Sequence, residues 1–166
     1  MKEKIWQQTI DQLAKQSVQA IALMQKNQSK IHFFAEDQPY DIRSISKTVM
    51  TMLAGIVNNQ DPRFNEETYI YPIIQDKIHI QKESNRMQFE KIQVKHLLTH
   101  TMGYDKVLLM RKDVKNIDPY DYLDLIVNSD LVHEPGDYYL YSNASFYMLS
   151  VVLQEYLQED LLSFAN

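Results

Sequence analysis

The most informative segment of the chain reads Ser44-Ile45-Ser46-Lys47-Thr48. Apolar residues recur behind it at helical spacing, which predicts a largely buried helix from Ser44 to Val57. Residues three apart lie on one helix face, about 5–6 Å apart at Cβ, so Lys47 is placed to reach the Ser44 hydroxyl. A neutral amine there accepts the serine proton and leaves a nucleophile for attack on a carbonyl. The competing interpretation is a capping serine with a solvated lysine, because so short a pattern also arises by chance.

A second polar group, Tyr141-Ser142-Asn143, precedes a strongly apolar helix predicted from Ala144 to Leu157. A tyrosine near cationic groups becomes a proton acceptor, because positive charge favours the phenolate. The Asn143 amide offers a donor and an acceptor, which suits holding a substrate amide. The alternative is structural, with Asn143 as the helix cap and Tyr141 as a loop aromatic packed on the core.

A third segment runs from His96 to Gly103 and reads HLLTHTMG. It lies in a helix predicted from Val94 to Thr101, with Gly103 suited to end it. Histidines at 96 and 100 have the spacing of a zinc helix, but Leu97 stands where that helix requires Glu, and no third ligand is evident. We therefore expect structural roles for both imidazoles, and neither a metal nor another cofactor.

The remaining periodicity predicts one α+β domain in which a hairpin is followed mainly by helices, without βαβ alternation. Residues 61–89 are mixed and predict short helices and loops. The other predicted elements are a helix from Glu3 to Lys15, strands over Val18–Met24 and Ile31–Ala35, and a helix from Pro119 to Ser129.

Composition excludes several classes of protein. The net charge is -5 and no Lys/Arg cluster is present, which argues against nucleic-acid binding. No apolar run approaches the roughly 20 residues of a membrane-spanning helix, and the absence of cysteine excludes disulfides. The start of the sequence does not resemble a secretory signal, so we expect a cytoplasmic protein if Met1 is the native start and an extracytoplasmic one if a signal was removed. With three glycines, tight turns are expected to use Asn, Asp and Ser.

Together the three segments resemble the serine β-lactamase and penicillin-binding-protein-like family, in particular its class C β-lactamase-like members. Ser44–Thr48 is similar to the nucleophile helix S-x-S-K-T, and Val94–Gly103 to I-R-H-L-L-T-H-T-S-G with Met102 in place of Ser. Residues 134–153 resemble P-G … Y-S-N-x-G-Y-x-L-L-G. The departures are three positions where the family usually has glycine, namely Arg43, Ser145 and Ser150.

The resemblance implies a β-lactamase/transpeptidase-like fold, with a helical lobe and an N-terminal hairpin of an incomplete antiparallel sheet. Ser44 would be the acylated nucleophile, and its backbone N–H would form half of the oxyanion hole. Lys47 would help to remove the Ser44 proton, Tyr141 would pass it to the leaving group, and Asn143 would bind the substrate amide. The substrate would be a small-molecule or peptidoglycan-like acyl compound with an amide, ester or β-lactam carbonyl. The HLLTHT segment would be scaffold.

The family's third motif, K-T-G or H-x-G, is not found in the 166 residues. We therefore expect residues 1–166 to form a single, partial β-lactamase-like domain. It would need a complementing C-terminal segment or self-associate through the unfinished sheet. The alternative function is a non-catalytic binding or remnant domain of the same fold.

Overall fold

The computed structural model describes residues 3–36 and 38–166. It divides into two compact units, Met1–Ile42 and Arg43–Asn166. In its described part, the first unit contains helix α1 (Glu3–Leu13) and an antiparallel hairpin of β1 (Ala20–Gln25) and β2 (Gln28–Phe33). The predicted helix and hairpin are both present, although the second strand begins three residues earlier than predicted. The reason is a turn of only two residues between the paired Gln25 and Gln28, where Lys26 adopts a φ of 54°.

The second unit is helical in its regular elements. Short 3-10 turns at Arg43–Ile45, Gln75–Lys77 and Pro119–Asp121 and isolated bridges at Tyr69–Gln93 and Tyr104–Leu131 connect the helices. This hairpin-then-helices order confirms the predicted α+β class. The helices are α2 (Ser46–Gln60), α3 (Tyr71–Ile74), α4 (Glu83–Phe89), α5 (Val94–Leu98), α6 (Tyr122–Asn128), α7 (Asn143–Leu157) and α8 (Leu161–Phe164).

Helix α7 is the centre of this unit and packs against α2, α3 and α5. Its residues Met148, Leu149 and Leu153 are fully buried. A buried side chain of this size contributes about 1.5–3 kcal/mol relative to an exposed one, so this helix anchors the core. The core around it comprises, among others, Phe64, Ile70, Ile74, Phe89, Ile92, Leu97 and Ile126.

The N-terminus of α7 is capped by Ser142, whose hydroxyl oxygen accepts the backbone N–H of Ala144 at 3.2 Å. The structural alternative that made Asn143 the cap is therefore wrong. Ser142 has the extended backbone typical of an N-cap, whereas Asn143 is the first helical residue. The Asn143 side chain is consequently available for other contacts.

Helix α2 is less buried than its apolar sequence predicts. Leu53, Ala54 and Val57 are buried, but an apolar stripe on another side is 44–65% exposed; it consists of the N-cap residue Ile45 and of Val49, Met52 and Ile56. The α-helix also starts at Ser46 rather than Ser44, because the preceding residues form a 3-10 turn, and it continues through Asn58 to Gln60.

Helix α5 ends at Leu98, earlier than predicted, and His100 rather than Gly103 reverses the chain. The N–H of Thr101 bonds to the carbonyl of His96 at 2.8 Å, and that of His100 to Leu97 at 3.3 Å. This is a Schellman motif, in which the residue after the cap takes a left-handed conformation, and His100 has a φ of 57°. Gly103, with a φ of 111°, serves a separate turn.

Asp61, Asn65 and Asp118 hold turns with their side chains as expected, but no Asn, Asp or Ser occupies a positive-φ position in the described residues. Two glycines have positive φ, Gly103 and Gly136. The other described residues with positive φ are Lys26, Arg43, His100, Leu109 and Gln158. Over residues 3–36 and 38–166, no helix combines the length and apolar character needed to cross a membrane.

Candidate active site

Ser44 lies in the 3-10 turn immediately before α2, with its side chain exposed. The preceding Arg43 adopts a φ of 49°, in the left-handed region that favours glycine. A non-glycine residue there costs about 1–2 kcal/mol. The backbone therefore bends in front of Ser44 at a residue that carries a side chain.

The phenol of Tyr141 reaches Ser44 from a segment 97 positions away. Its O–H donates a hydrogen bond to Ser44 Oγ at 2.7 Å. The hydrogen bond with Ser44, followed by the nearby Lys47, lowers the pKa of Tyr141 although partial burial opposes the shift. The shift is toward the phenolate, the form that a proton acceptor at this position requires.

The Lys47 ammonium lies close to both Ser44 and Tyr141, but its charge matters more here than a direct hydrogen bond to the serine. Its ammonium donates to Asn143 Oδ1 at 2.8 Å, but its Nζ is 3.5 Å from Ser44 Oγ, at the outer limit of a hydrogen bond. It also lies 5.2 Å from the centroid of the Tyr141 ring and 5.9 Å from that of Phe146. Such distances allow cation–π attraction, which places the positive charge against the phenol.

The amide of Asn143 is oriented by a loop that the sequence did not single out. Its Nδ2 donates to the carbonyl of Leu109 at 2.9 Å, which turns Oδ1 toward Lys47. Leu109 has a φ of 58°, and the neighbouring Leu108 exchanges hydrogen bonds with the Ser142 hydroxyl. The loop at 108–109 is thus fastened to the start of α7 and fixes the direction of the amide.

The two histidines of the HLLTHT segment have different surroundings. His96 Nδ1 accepts the backbone N–H of Gln93 at 3.0 Å, within a capping box of α5. His100 Nδ1 accepts the N–H of Ser142 at 3.4 Å, and its ring lies 4.6 Å from that of Tyr141. Among residues 3–36 and 38–166, no group of three or more His, Asp or Glu side chains is arranged to hold a metal ion.

Two adjoining open clefts of about 510 and 470 Å³ meet at Ser44, Lys47 and Phe146. The first continues past Arg43 and Asn143, and the second past His100 and Tyr141. Ser150, at a position where glycine is usual, lines the first cleft and donates to the carbonyl of Tyr147, whereas Ser145 is buried in α7. These replacements leave Ser44 and Lys47 accessible from both clefts.

The structure thus brings Ser44, Lys47, Tyr141 and Asn143 together as the sequence predicts, while their catalytic roles stay predictions. The contributions of Leu109 and of the His100 ring were not predicted. For Leu109 the sequence carries no signal, because its part is played by a backbone carbonyl. For His100 the signal was its place in HLLTHT, which indicated scaffold only.

The sequence matches the family model described as Beta-lactamase over residues 7–165, and no curated protein matches it significantly. A Pseudomonas syringae structure described as a β-lactamase/D-alanine carboxypeptidase is 18% identical, with a TM-score of 0.68 and coverage of 93% of this chain and 44% of that chain. A Bacillus anthracis structure described as a 6-aminohexanoate-dimer hydrolase is 17% identical, with a TM-score of 0.63 and coverage of 93% and 45%. The chain spans less than half of either structure, and the likeness confirms the predicted β-lactamase/transpeptidase-like fold.

Proposed function

The chain belongs to the β-lactamase family, and we propose that it is a serine hydrolase that works through a covalent acyl-enzyme. The supporting observation is the hydrogen-bonded group at Ser44. A hydroxyl, a phenol, an ammonium and an amide from segments up to 99 positions apart in sequence converge there. A nucleophile within hydrogen-bonding reach of a base that is itself held by a third group is the general pattern of nucleophilic catalysis.

In the proposed acylation step, Tyr141 acts as the phenolate. Ser44 Oγ attacks the acyl carbonyl, and its proton passes to the Tyr141 oxygen, 2.7 Å away. When the tetrahedral intermediate collapses, the carbonyl–leaving-group bond breaks and Tyr141 returns the proton to the leaving group. For deacylation, Tyr141 takes a proton from water, the resulting hydroxide attacks the acyl carbon, and Ser44 is released with the proton restored.

The distances favour Tyr141 over Lys47 as the direct proton acceptor, since Lys47 Nζ is 3.5 Å from the hydroxyl oxygen. The family resemblance implies that Lys47 helps to remove the Ser44 proton. We instead assign to Lys47 the stabilisation of the phenolate by its charge. Asn143 holds that charge in place, and its amide is the group expected to bind a substrate amide.

We propose that the substrate is a small-molecule or peptidoglycan-like acyl compound with an amide, ester or β-lactam carbonyl. Two features support this class. The clefts at Ser44 are open and of small-molecule size. The two similar structures are described as a β-lactamase/D-alanine carboxypeptidase and a 6-aminohexanoate-dimer hydrolase.

The test is covalent labelling of the folded chain with a fluorescent penicillin and, separately, with an activated ester. We expect an adduct that peptide mass spectrometry places on Ser44. Labelling should be lost in Ser44→Ala and kept in Ser84→Ala, a matched control in the exposed part of α4. An adduct mapped to another serine, or no adduct with either probe, would reject the proposal.

The second candidate is a non-catalytic binding or remnant domain, favoured by the exposed apolar stripe of α2 at Ile45, Val49, Met52 and Ile56. Exposed apolar patches mark interaction sites. This candidate predicts that Ser44→Ala folds normally and binds its ligand unchanged. Light scattering over a concentration range would detect self-association through such a surface.

A further inference from the structure

His100 contacts the chain on both sides of Tyr141. Its backbone carbonyl accepts the N–H of Leu140 at 2.9 Å. Its imidazole Nδ1 accepts the N–H of Ser142 at 3.4 Å. The residues immediately before and after Tyr141 are therefore bonded to one histidine, which fixes the backbone from which the phenol projects.

The imidazole also packs against the phenol ring itself. The centroids of the His100 and Tyr141 rings are 4.6 Å apart with an interplanar angle of 43°, and Phe146 lies 5.2 Å away on a similar tilt. Aromatic pairs at such separations are worth about 0.5–1.5 kcal/mol beyond the area they bury. With Lys47 also lying over the Tyr141 ring, the phenol is confined on more than one side.

His100 is itself held by the helix that precedes it. The Schellman bonds of α5 fix its left-handed backbone, and Leu97, at the base of the motif, is fully buried. His100 as a whole residue is 9% exposed. A rigid turn therefore presents both the carbonyl and the ring to Tyr141.

We propose that His100 is a positioning residue that sets the Tyr141 phenol against Ser44, and that it does so only as the neutral imidazole protonated at Nε2. The neutral form is required because Nδ1 must accept the Ser142 N–H, whereas a protonated imidazole donates at both nitrogens. The inference rests on the proposed function for its catalytic consequence, but the geometry it predicts can be measured without turnover.

The charged and titratable groups around His100 agree with a neutral ring. Lys47 faces it from α2, and Tyr139 and Tyr141 face it from the segment before α7. Phe146, the contact from α7, carries no charge. Burial, and then the Lys47 charge, hold the pKa of His100 below its ordinary value. Protonation would add a second cation beside Lys47 and would remove the bond to Ser142.

The first experiment is an NMR titration of the wild-type chain with 15N-labelled imidazoles and tyrosine 13C-labelled at Cζ, the Tyr141 signal being assigned with Tyr141→Phe. We expect the Nε2–H tautomer of His100 and a step in the Tyr141 signal at the pH where His100 titrates. The Nδ1–H tautomer, or a His100 titration that leaves the Tyr141 signal unchanged, would overturn the inference.

The second experiment compares His100→Ala with His100→Asn. Asparagine keeps an acceptor near the position of Nδ1 and tolerates the left-handed backbone, but it does not titrate. We expect His100→Ala to slow acylation of Ser44 about 10–100-fold, in the range that small misplacements of a reacting group produce. The acylation rate of His100→Asn should stay within about threefold of the wild-type rate. Its pH profile should lack the acid inflection that, in the wild type, coincides with the titration of His100.

The matched control is His96→Asn, which changes an equally buried imidazole of the same segment that bonds to Gln93 instead. It should leave the Tyr141 titration unaltered. A folded His100→Ala with wild-type acylation, or a His100→Asn with an unchanged acid inflection, would refute the role. If the wild-type chain is not acylated at all, the hydrolase proposal fails, while the wild-type NMR titration still decides the positioning of Tyr141.

Discussion

Replacing Tyr141 by phenylalanine tests the proposed proton acceptor most directly, because the variant loses only the oxygen. The ring would keep its contacts, with His100 at 4.6 Å between centroids and the Lys47 ammonium at 5.2 Å. The 2.7 Å hydrogen bond to Ser44 and the interaction of the phenol oxygen with Lys47 would be lost. Any large effect on reactivity would therefore come from proton transfer rather than from packing.

The expected effects on stability and on rate differ in size. Tyr141 is 38% exposed, and water can replace its hydrogen bond, so the free energy of unfolding should fall by less than about 1 kcal/mol. A positioned acid–base group contributes about 10²–10⁴ in rate. At 1.36 kcal/mol per decade, this corresponds to about 3–5 kcal/mol in the acylation barrier. The rate should therefore respond far more than the fold.

Both quantities can be measured on the same preparations. The rate of Ser44 labelling by the fluorescent penicillin or the activated ester gives the barrier, and urea unfolding gives the stability. Acylation of Tyr141→Phe within about twofold of wild type would refute Tyr141 as the acceptor, since general acid–base catalysis is worth at least about 10². In that case Lys47, at 3.5 Å from the hydroxyl oxygen, would become the candidate base.

Two further predictions concern stability. Gly103→Ala should lower the free energy of unfolding by about 2–4 kcal/mol, because φ is 111° and a Cβ would lie 2.4 Å from the carbonyl oxygen of His133. Gly55→Ala, on open helix surface, should raise the free energy of unfolding by about 0.5–1 kcal/mol. Equal effects of the two substitutions in urea titrations would contradict this account. The melting temperature should fall as the pH drops from 6.5 toward about 5: burial lowers the folded-state pKa of both His96 and His100 from 6.5, so the unfolded chain binds more protons in that range. A melting temperature that is flat over this range, or a similar slope in the His96→Asn/His100→Asn double variant, would show that these imidazoles are not the source.

Much of the fold follows from periodicity in the sequence. The apolar repeat of α7 and the two short, mostly apolar segments on either side of the hairpin turn predict elements that the structure contains. The sequence overestimates the burial of α2, because helical periodicity identifies an apolar face but does not show which elements pack against it. Residues such as Val49 and Met52 share the apolar character of the buried Leu53 and are nevertheless exposed. Element ends were less predictable, because they depend on individual hydrogen bonds such as that of the Ser142 cap.

The sequence predicts the side chains of the candidate site but not the backbone groups that hold them. Helical spacing relates Lys47 to Ser44, and the order of the segments associates Tyr141 and Asn143 with them. The contacts made by backbone groups could not be predicted in this way. The Leu109 carbonyl that turns the Asn143 amide, and the His100 carbonyl that holds Leu140, carry no residue-type signal. They exist because tertiary packing brings the backbones together.

The scarcity of glycine makes the location of backbone strain informative. Two of the non-glycine residues with positive φ, Lys26 in the hairpin turn and Gln158 at the end of α7, occupy sites where such conformations are common. The other three in the described part of the chain surround the candidate site: Arg43 precedes Ser44, His100 bonds to the residues on both sides of Tyr141, and Leu109 turns the Asn143 amide.

Each of these three conformations costs about 1–2 kcal/mol for a residue with a side chain, yet at each position the chain uses Arg, His or Leu instead of Gly. Strain of this kind persists only where surrounding contacts enforce it. For His100 those contacts are the Schellman bonds, and for Leu109 they include the bond from Asn143. Arg43 and His100 also line the clefts, so their side chains occupy space that glycine would leave open. The strained backbone therefore both bends the chain around Ser44 and supplies part of the cleft wall, which explains how the site keeps its geometry without the glycines usual at such bends.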